Sequence, residues 1–198
     1  EGLTMFTQRE APDTVLEREP GVIVMCEHCY TVDGIDKGKF IKVSEWEEMP
    51  TAKEIHEWNG YPITNKCDTA KIFRSYGLPE GYEIEPGNVE AWTGAYDQIG
   101  YTLWPAFCRW AEEGVVIEDM DNVPDVATFE EQFCGWWPSF YEYALNLAED
   151  TGLMEDTDPD SPLRTYFDWD SWVSDLAYDY TVTTTDAREG GVFIYRNF

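Results

Sequence analysis

Cys26 and Cys29, in the run CEHC, have the C-x-x-C spacing that supplies half of a tetrahedral zinc site. A closed site needs two more ligands, and outside this run the chain offers Cys67, Cys108, Cys134 and His56, none at motif spacing. The run also falls where apolar alternation predicts a strand, so it is read as strand or exposed loop, and no metal is expected. Asp156, Asp158 and Asp160 imitate the first three ligands of an EF-hand loop. The imitation then fails: position 6 is Ser161 rather than Gly, Pro162 follows, and position 12 is Phe167 rather than Glu. A glycosidase-type pair of acids about 5 to 9 Å apart has no specificity in a chain with 40 Asp and Glu residues, because some pair always qualifies. His28 and His56 are the two histidines, and there is neither a G-x-S-x-G run nor a glycine-rich phosphate loop. Nucleophilic and nucleotide chemistry therefore lack support, and no catalytic residue or cofactor is expected. Trp136, Trp137, Trp169 and Trp172 could form a platform for a sugar or base, but at helical spacing they read as core.

What the chain has in abundance is carboxylate. From Trp110 to Leu163 there are 54 residues without a lysine or arginine, and they carry 15 carboxylates and eight aromatic rings. An acidic disordered tail lacks aromatics because nothing in it needs burying, so this charge must coat a folded body. Residues 1–78 hold 14 acids against 9 bases, a net of −5, while residues 79–198 hold 26 against 4, a net of −22. Small domains carry a net charge of roughly 2 to 8 in magnitude, so solubility does not explain the excess. A halophile's solvation coat would cover both ends, yet all six lysines fall at or before Lys71.

The elements that must position these residues are readable from Gly21 onward. Val22–Met25 and Phe40–Val43 read as two strands around a glycine-containing turn. Thr51 with Glu54 forms a capping box for a short helix ending near Gly60, and Asp68 is placed to cap another ending at Gly77. Leu103, Trp104, Phe107, Trp110 and Ala111 follow helical spacing within residues 88–114, with Pro105 in the first turn. Val126, Phe129 and Phe133 mark a further helix, Ser139 with Glu142 forms a capping box for the next, which stops at Gly152, and Asp168 caps a helix bearing Trp169, Trp172, Val173 and Leu176. Tyr180–Thr184 and Val192–Tyr195 then alternate as strands around DAREGG. The class is α+β, with a mobile arm over 1–20, an N-terminal α+β domain with a β-hairpin over 21–85, a central helical domain over 86–122 and an acidic C-terminal α+β domain over 123–198. No run of about 18 apolar residues is available for a membrane span, and five scattered cysteines do not form a disulfide framework. A cytoplasmic protein is expected.

Read together, FYEYALNLAEDTGLMED, LRTYFDWDSWVSDLAYDYTV and GVFIYR resemble the C-terminal domain of the ArdA antirestriction proteins. The matching residues are Glu149, Asp150, Thr151, Gly152 and Leu153 in the turn after an acidic helix, and Tyr166, Phe167, Asp168, Trp169 and Trp172 in the aromatic segment. Asp175 and Leu176 follow, with Val192, Phe193, Tyr195 and Arg196 in the final strand. A looser resemblance reaches back through TGAYDQIGYTLWPAFCRWAEEG and the stretch GVIVMCEHCYTVDGIDKGKFIKV. The resemblance implies an elongated, curved, three-domain protein that dimerises through its C-terminal domain and mimics bent B-form DNA. Its partner would be the DNA-binding groove of a type I restriction-modification enzyme in a bacterial host, and its effect the protection of incoming phage or plasmid DNA.

The charge count agrees with that implication. Duplex DNA carries one charge per about 1.7 Å, so a net of −22 equals about 37 Å of duplex, or about 11 base pairs. The reading is a non-enzymatic inhibitor that binds no nucleic acid itself, inserts in no membrane and forms a homodimer. An acidic adaptor for another basic DNA-binding protein is the alternative, and a carboxylate-based hydrolase a more distant one. Exposed ion pairs contribute about 0 to 1 kcal/mol each, so the mimic surface must be spread over many acids. Those chosen are Asp119, Asp121, Asp125, Glu130, Glu131, Glu142, Glu149, Asp150, Glu155, Asp156, Asp158 and Asp160. Trp169, Trp172, Phe193 and Tyr195 are assigned to core or dimer contact.

Overall fold

A computed structural model describes residues 19–32, 37–113, 122–154, 157–158, 160–185 and 190–197. The arm expected over residues 1–20 lies, but for Glu19 and Pro20, outside them. The fold is α+β, with two three-stranded antiparallel sheets, each packed against helices. The described residues up to Thr128 form one compact unit, and those from Phe129 onward belong to a second. No described helix is long and apolar enough to cross a membrane.

In the first unit, β1 (Gly21–Cys26) lies between β2 (Gly38–Lys42) and β3 (Ala70–Tyr76), antiparallel to both. A strand paired on both edges and covered by helices is buried along its length, and Val22, Val24, Met25 and Cys26 are at most 1% exposed. The pairing of β1 with β2 matches the sequence reading, with Ile23 opposite Phe40. The link between them is not a simple turn, because the chain leaves β1 directly into a short helix, α1 (Glu27–Thr31).

α2 (Ala52–Asn59) has the expected capping box: Glu54 N–H donates to Thr51 Oγ1 at 3.3 Å while Thr51 N–H donates to the Glu54 carboxylate at 2.8 Å. It ends on Gly60 at φ 67°, the left-handed conformation that favours glycine there. The helix expected between Asp68 and Gly77 is instead β3. Its Ile72 and Arg74 sit opposite Val24 and Ile23 of β1, and this cross-strand pairing overrides the local cap and stop signals.

α3 (Val89–Glu112) carries the aromatic core of this unit, with Trp92, Trp104 and Phe107 fully buried. Trp104 stacks on Phe107 at 5.1 Å between ring centroids, and its indole N–H donates to the Gly77 carbonyl at 2.6 Å. Thr93 Oγ1 donates to the Val43 carbonyl at 2.9 Å, which ties the start of the helix to the turn after β2. The helix breaks at Gly100 (φ 73°, ψ 164°), a conformation almost confined to glycine, and Pro105 follows in the second limb.

The second unit is built on β6 (Val192–Arg196), which lies between β4 (Phe133–Trp137) and β5 (Tyr180–Thr184). Alternation along β6 sends Phe193 and Tyr195 against Phe129 and Phe133 on one face. Ile194 joins Trp137, Tyr143 and Tyr180 on the other. α4 (Val126–Gln132) stops one residue earlier than expected, because Phe133 opens β4 rather than continuing the helix. Trp136 and Trp137 are therefore neighbours on a strand, one half-buried and one buried, and not members of a helical stripe. α5 (Phe140–Asp150) begins at Ser139, whose Oγ accepts from Glu142 N–H at 3.2 Å, the serine half of the expected capping box. α6 (Pro162–Tyr166) and α7 (Trp169–Leu176) follow, and Asp168 caps α7 by accepting from Ser171 N–H at 3.0 Å.

Two glycines of α3 should respond oppositely to the same substitution. A Cβ at either Gly94 or Gly100 would meet nothing within 4 Å, so sterics do not separate them. Gly94→Ala should stabilise the protein by about 0.4–1 kcal/mol through helix propensity and unfolded-state entropy. Gly100→Ala should cost about 1–3 kcal/mol, because alanine is strained at that φ and ψ. Denaturant titration of both variants checks the pair, and equal shifts would contradict the break at Gly100.

Candidate functional site

The second unit displays its acids from helices and from the turns beside them. Glu130 and Glu131 stand exposed on α4, Glu142, Glu149 and Asp150 on α5, and Asp158 and Asp160 between α5 and α6. Asp168, Asp170, Asp175 and Asp179 continue the exposed series through α7, although the sequence reading did not select them. They are plain in the sequence, and the signal that finds them is the absence of nearby lysine. Glu142 and Glu149 are seven residues apart on one helix face, about two turns or about 10 Å along the axis. Asp119, Asp121, Glu155 and Asp156 lie outside the described residues.

Two of the acids selected from the sequence, Asp125 in the first unit and Asp158 in the second, also shape the chain. Asp125, partly buried, accepts from both the Thr128 hydroxyl at 2.5 Å and the Thr128 N–H at 2.9 Å. These bonds hold its carboxyl below the usual range. Asp158 accepts from Asp160 N–H at 2.9 Å, an Asx-type turn that leaves both carboxylates outward.

The described cations of this unit do not answer these charges. Arg164 Nε donates to the Thr157 carbonyl at 3.1 Å, and its Nη2 donates to the Met154 carbonyl. Arg196 faces the Tyr180 hydroxyl, whose hydrogen bond raises the guanidinium pKa. The first unit is different: Lys42 pairs with Glu19 at 2.8 Å, Lys53 with Glu57 at 3.6 Å, Lys71 with Glu27, and Arg109 with Glu112 at 3.1 Å. Cation and acid thus alternate in one unit, and acid dominates the surface of the other.

The aromatic residues assigned to core or dimer contact divide. Phe193 and Tyr195 are 1% exposed and belong to the core, whereas Trp169 and Trp172 are half-buried and meet edge to face at 5.8 Å. Tyr166 and Tyr178 stand 84% and 85% exposed beside these acids. A cleft of about 910 Å³ lies between the end of α5 and α7, lined by Glu149, Asp150, Arg164 and Trp169 among others. Among the described residues its carboxylates are Glu149 and Asp150, sequence neighbours exposed on the last turn of a helix, not a pair facing each other across a closed site as a glycosidase requires.

A separate group of residues meets inside the first unit. Cys26, Cys29, His56 and Cys67, which the sequence reading left apart, are all buried, and their ligand atoms lie within 4.8 Å of one another. Burial pushes the Cys29 thiol up to about 12. At Cys67 burial acts in the same direction but is outweighed by hydrogen bonds from Thr64, which bring that thiol down to about 7. No spacing rule signals this group, since the segment before β3 and helix α2 deliver Cys67 and His56 to Cys29 from 38 and 27 residues away.

Comparison with curated proteins finds no match. The family model described as antirestriction protein (ArdA) matches residues 30–189, which takes in most of the first unit and most of the acidic one. The chain therefore belongs to the ArdA family of antirestriction proteins, whose action is directed against restriction enzymes.

Proposed function

We propose that the protein acts as a mimic of duplex DNA, its acidic surface occupying the DNA-binding groove of a type I restriction-modification enzyme and so protecting incoming phage or plasmid DNA. The observation that carries this reading is the display of exposed carboxylates on packed helices, from Glu130 through Asp179, without answering lysines. A groove lined with arginine and lysine gains free energy by releasing counterions from a polyanion. A folded polyanion with similar linear charge density gains entry to the same groove, and its field steers it there quickly. In this reading the protein works as a homodimer, which doubles the length of charge presented, and it binds no nucleic acid itself.

The helices carry these acids at a cost that a purely structural role would avoid. Glu149 and Asp150 sit on the last turn of α5, where the helix dipole disfavours negative charge. Neutralising both as Glu149→Gln with Asp150→Asn should raise stability by about 0.3–1 kcal/mol for each charge removed while weakening inhibition. A thermal melt run beside an inhibition assay tests this, and a variant that lost stability would remove the argument from the dipole.

Purified protein should displace DNA from a type I enzyme, and the displacement should weaken steeply as salt rises. A single Glu142→Gln should change inhibition slightly, as expected for one exposed charge. Reversal of Glu130, Glu131, Glu149 and Asp150 to lysine together should abolish it. All four lie in the last turns of α4 and α5, where lysine suits the dipole, so the fold should survive. Loss of all activity through one conservative substitution would indicate a localised site instead. Failure to displace DNA at low salt would favour an acidic adaptor for another basic protein.

Sedimentation at micromolar concentration should give a mass of twice 22.9 kDa with a frictional ratio above that of a sphere. A compact monomer would deprive the mimic of its length.

A further inference from the structure

The buried sulfur and imidazole group of the first unit has the composition and geometry of a metal centre. Cys26 closes β1, Cys29 lies in α1, His56 projects from α2, and Cys67 precedes β3. Zinc bonded to sulfur at about 2.3 Å and to nitrogen at about 2.0–2.1 Å in a tetrahedron places its ligand atoms about 3.5–3.8 Å apart. Cys29 Sγ lies 3.5 Å from Cys67 Sγ and 3.5 Å from His56 Nε2. A hydrogen bond between two thiols would account for one such spacing. It does not account for three thiols and an imidazole converging on one point.

The surroundings orient the ligands as a metal requires. His56 Nδ1 is 3.0 Å from the Pro62 carbonyl and 3.2 Å from the Tyr61 carbonyl. Carbonyls only accept, so Nδ1 carries the proton and the lone pair of Nε2 points into the cluster, the outer-shell arrangement of metal-bound histidine. Cys67 Sγ lies 3.2 Å from Thr64 Oγ1, a hydroxyl able to donate to a thiolate. Four protein ligands, each at most 7% exposed, leave no open position for water or substrate.

We infer that Cys26, Cys29, His56 and Cys67 form a closed, structural Cys3His zinc site that clamps β1, α1, α2 and the segment before β3 together. Zn²⁺ enters as the three thiols release their protons, giving three thiolates and a neutral imidazole around the ion. No electron is transferred. The clamp lies in the lysine-bearing unit, and its role is to hold a small sheet and helix in register.

The full chain, purified under reducing conditions and stripped of metal, should be titrated with Co²⁺. Ligand-field bands of tetrahedral thiolate-bound cobalt should saturate at one equivalent per chain, and Zn²⁺ should bleach them. Cys67→Ser and His56→Gln should shift or abolish the bands, whereas Cys108→Ser and Cys134→Ser should leave them unchanged. Chelation of the zinc-loaded protein should lower its melting temperature. Absence of cobalt bands in the reduced wild-type protein would overturn the assignment, as would bands that survive Cys29→Ser combined with Cys67→Ser. Because the wild-type titration decides by itself, a variant that fails to fold does not shelter the proposal.

Discussion

Repulsion among carboxylates is the constraint to which the rest of this protein answers. Two exposed unit charges about 8 Å apart in water repel by about 0.5 kcal/mol before screening, and a net of −22 over residues 79–198 multiplies such pairs. A fully buried aromatic side chain returns about 1.5–3 kcal/mol. One ring therefore outweighs several unfavourable pairs, which is why so acidic a chain carries 31 aromatic residues. Trp92, Trp104 and Phe107 supply that burial in the first unit, and Phe129, Phe193 and Tyr195 supply it in the second.

The acids are not all opponents of folding. At helix starts they meet the positive end of the dipole and unsatisfied N–H groups, and Glu54, Asp125 and Asp168 use both. Hydrogen bonds hold the carboxyls of all three below their ordinary range. A depressed folded-state pKa means that the stabilisation is complete at neutral pH and is lost as pH falls through that pKa. Glu149 and Asp150 have the opposite placement and gain nothing from the backbone. Carboxylates that help the fold and carboxylates that burden it thus occur on consecutive helices, Asp125 at the start of α4 and Glu149 and Asp150 at the end of α5.

The two units handle their chemistry differently. In the first, lysines answer acids across short distances, and sulfur and imidazole groups occupy the interior beside β1. In the second, the described arginines turn to carbonyls and a phenol. The family is one of antirestriction proteins, and its match over residues 30–189 spans parts of both units.

Local signals were legible in the sequence because their physics is local. Thr51 with Glu54, Ser139 with Glu142, and Asp168 each cap a helix within three residues of themselves, and β5 and β6 alternate and pair as their pattern predicts. The acidic character and the α+β class follow from composition and periodicity alone. Tertiary contact decided what those signals could not reach. The stretch from Ala70 to Tyr76 carries a cap and a stop fit for a helix, yet it becomes a strand because β1 offers a free edge to pair with. Phe133 and Trp137 leave helical spacing for the same reason, drawn into register with β6. Cys26 and Cys29 showed half of a ligand set, and no rule of spacing could bring in His56 and Cys67. Convergence of side chains so far apart in sequence is a property of packed elements, and packing is set by contacts that no local window contains.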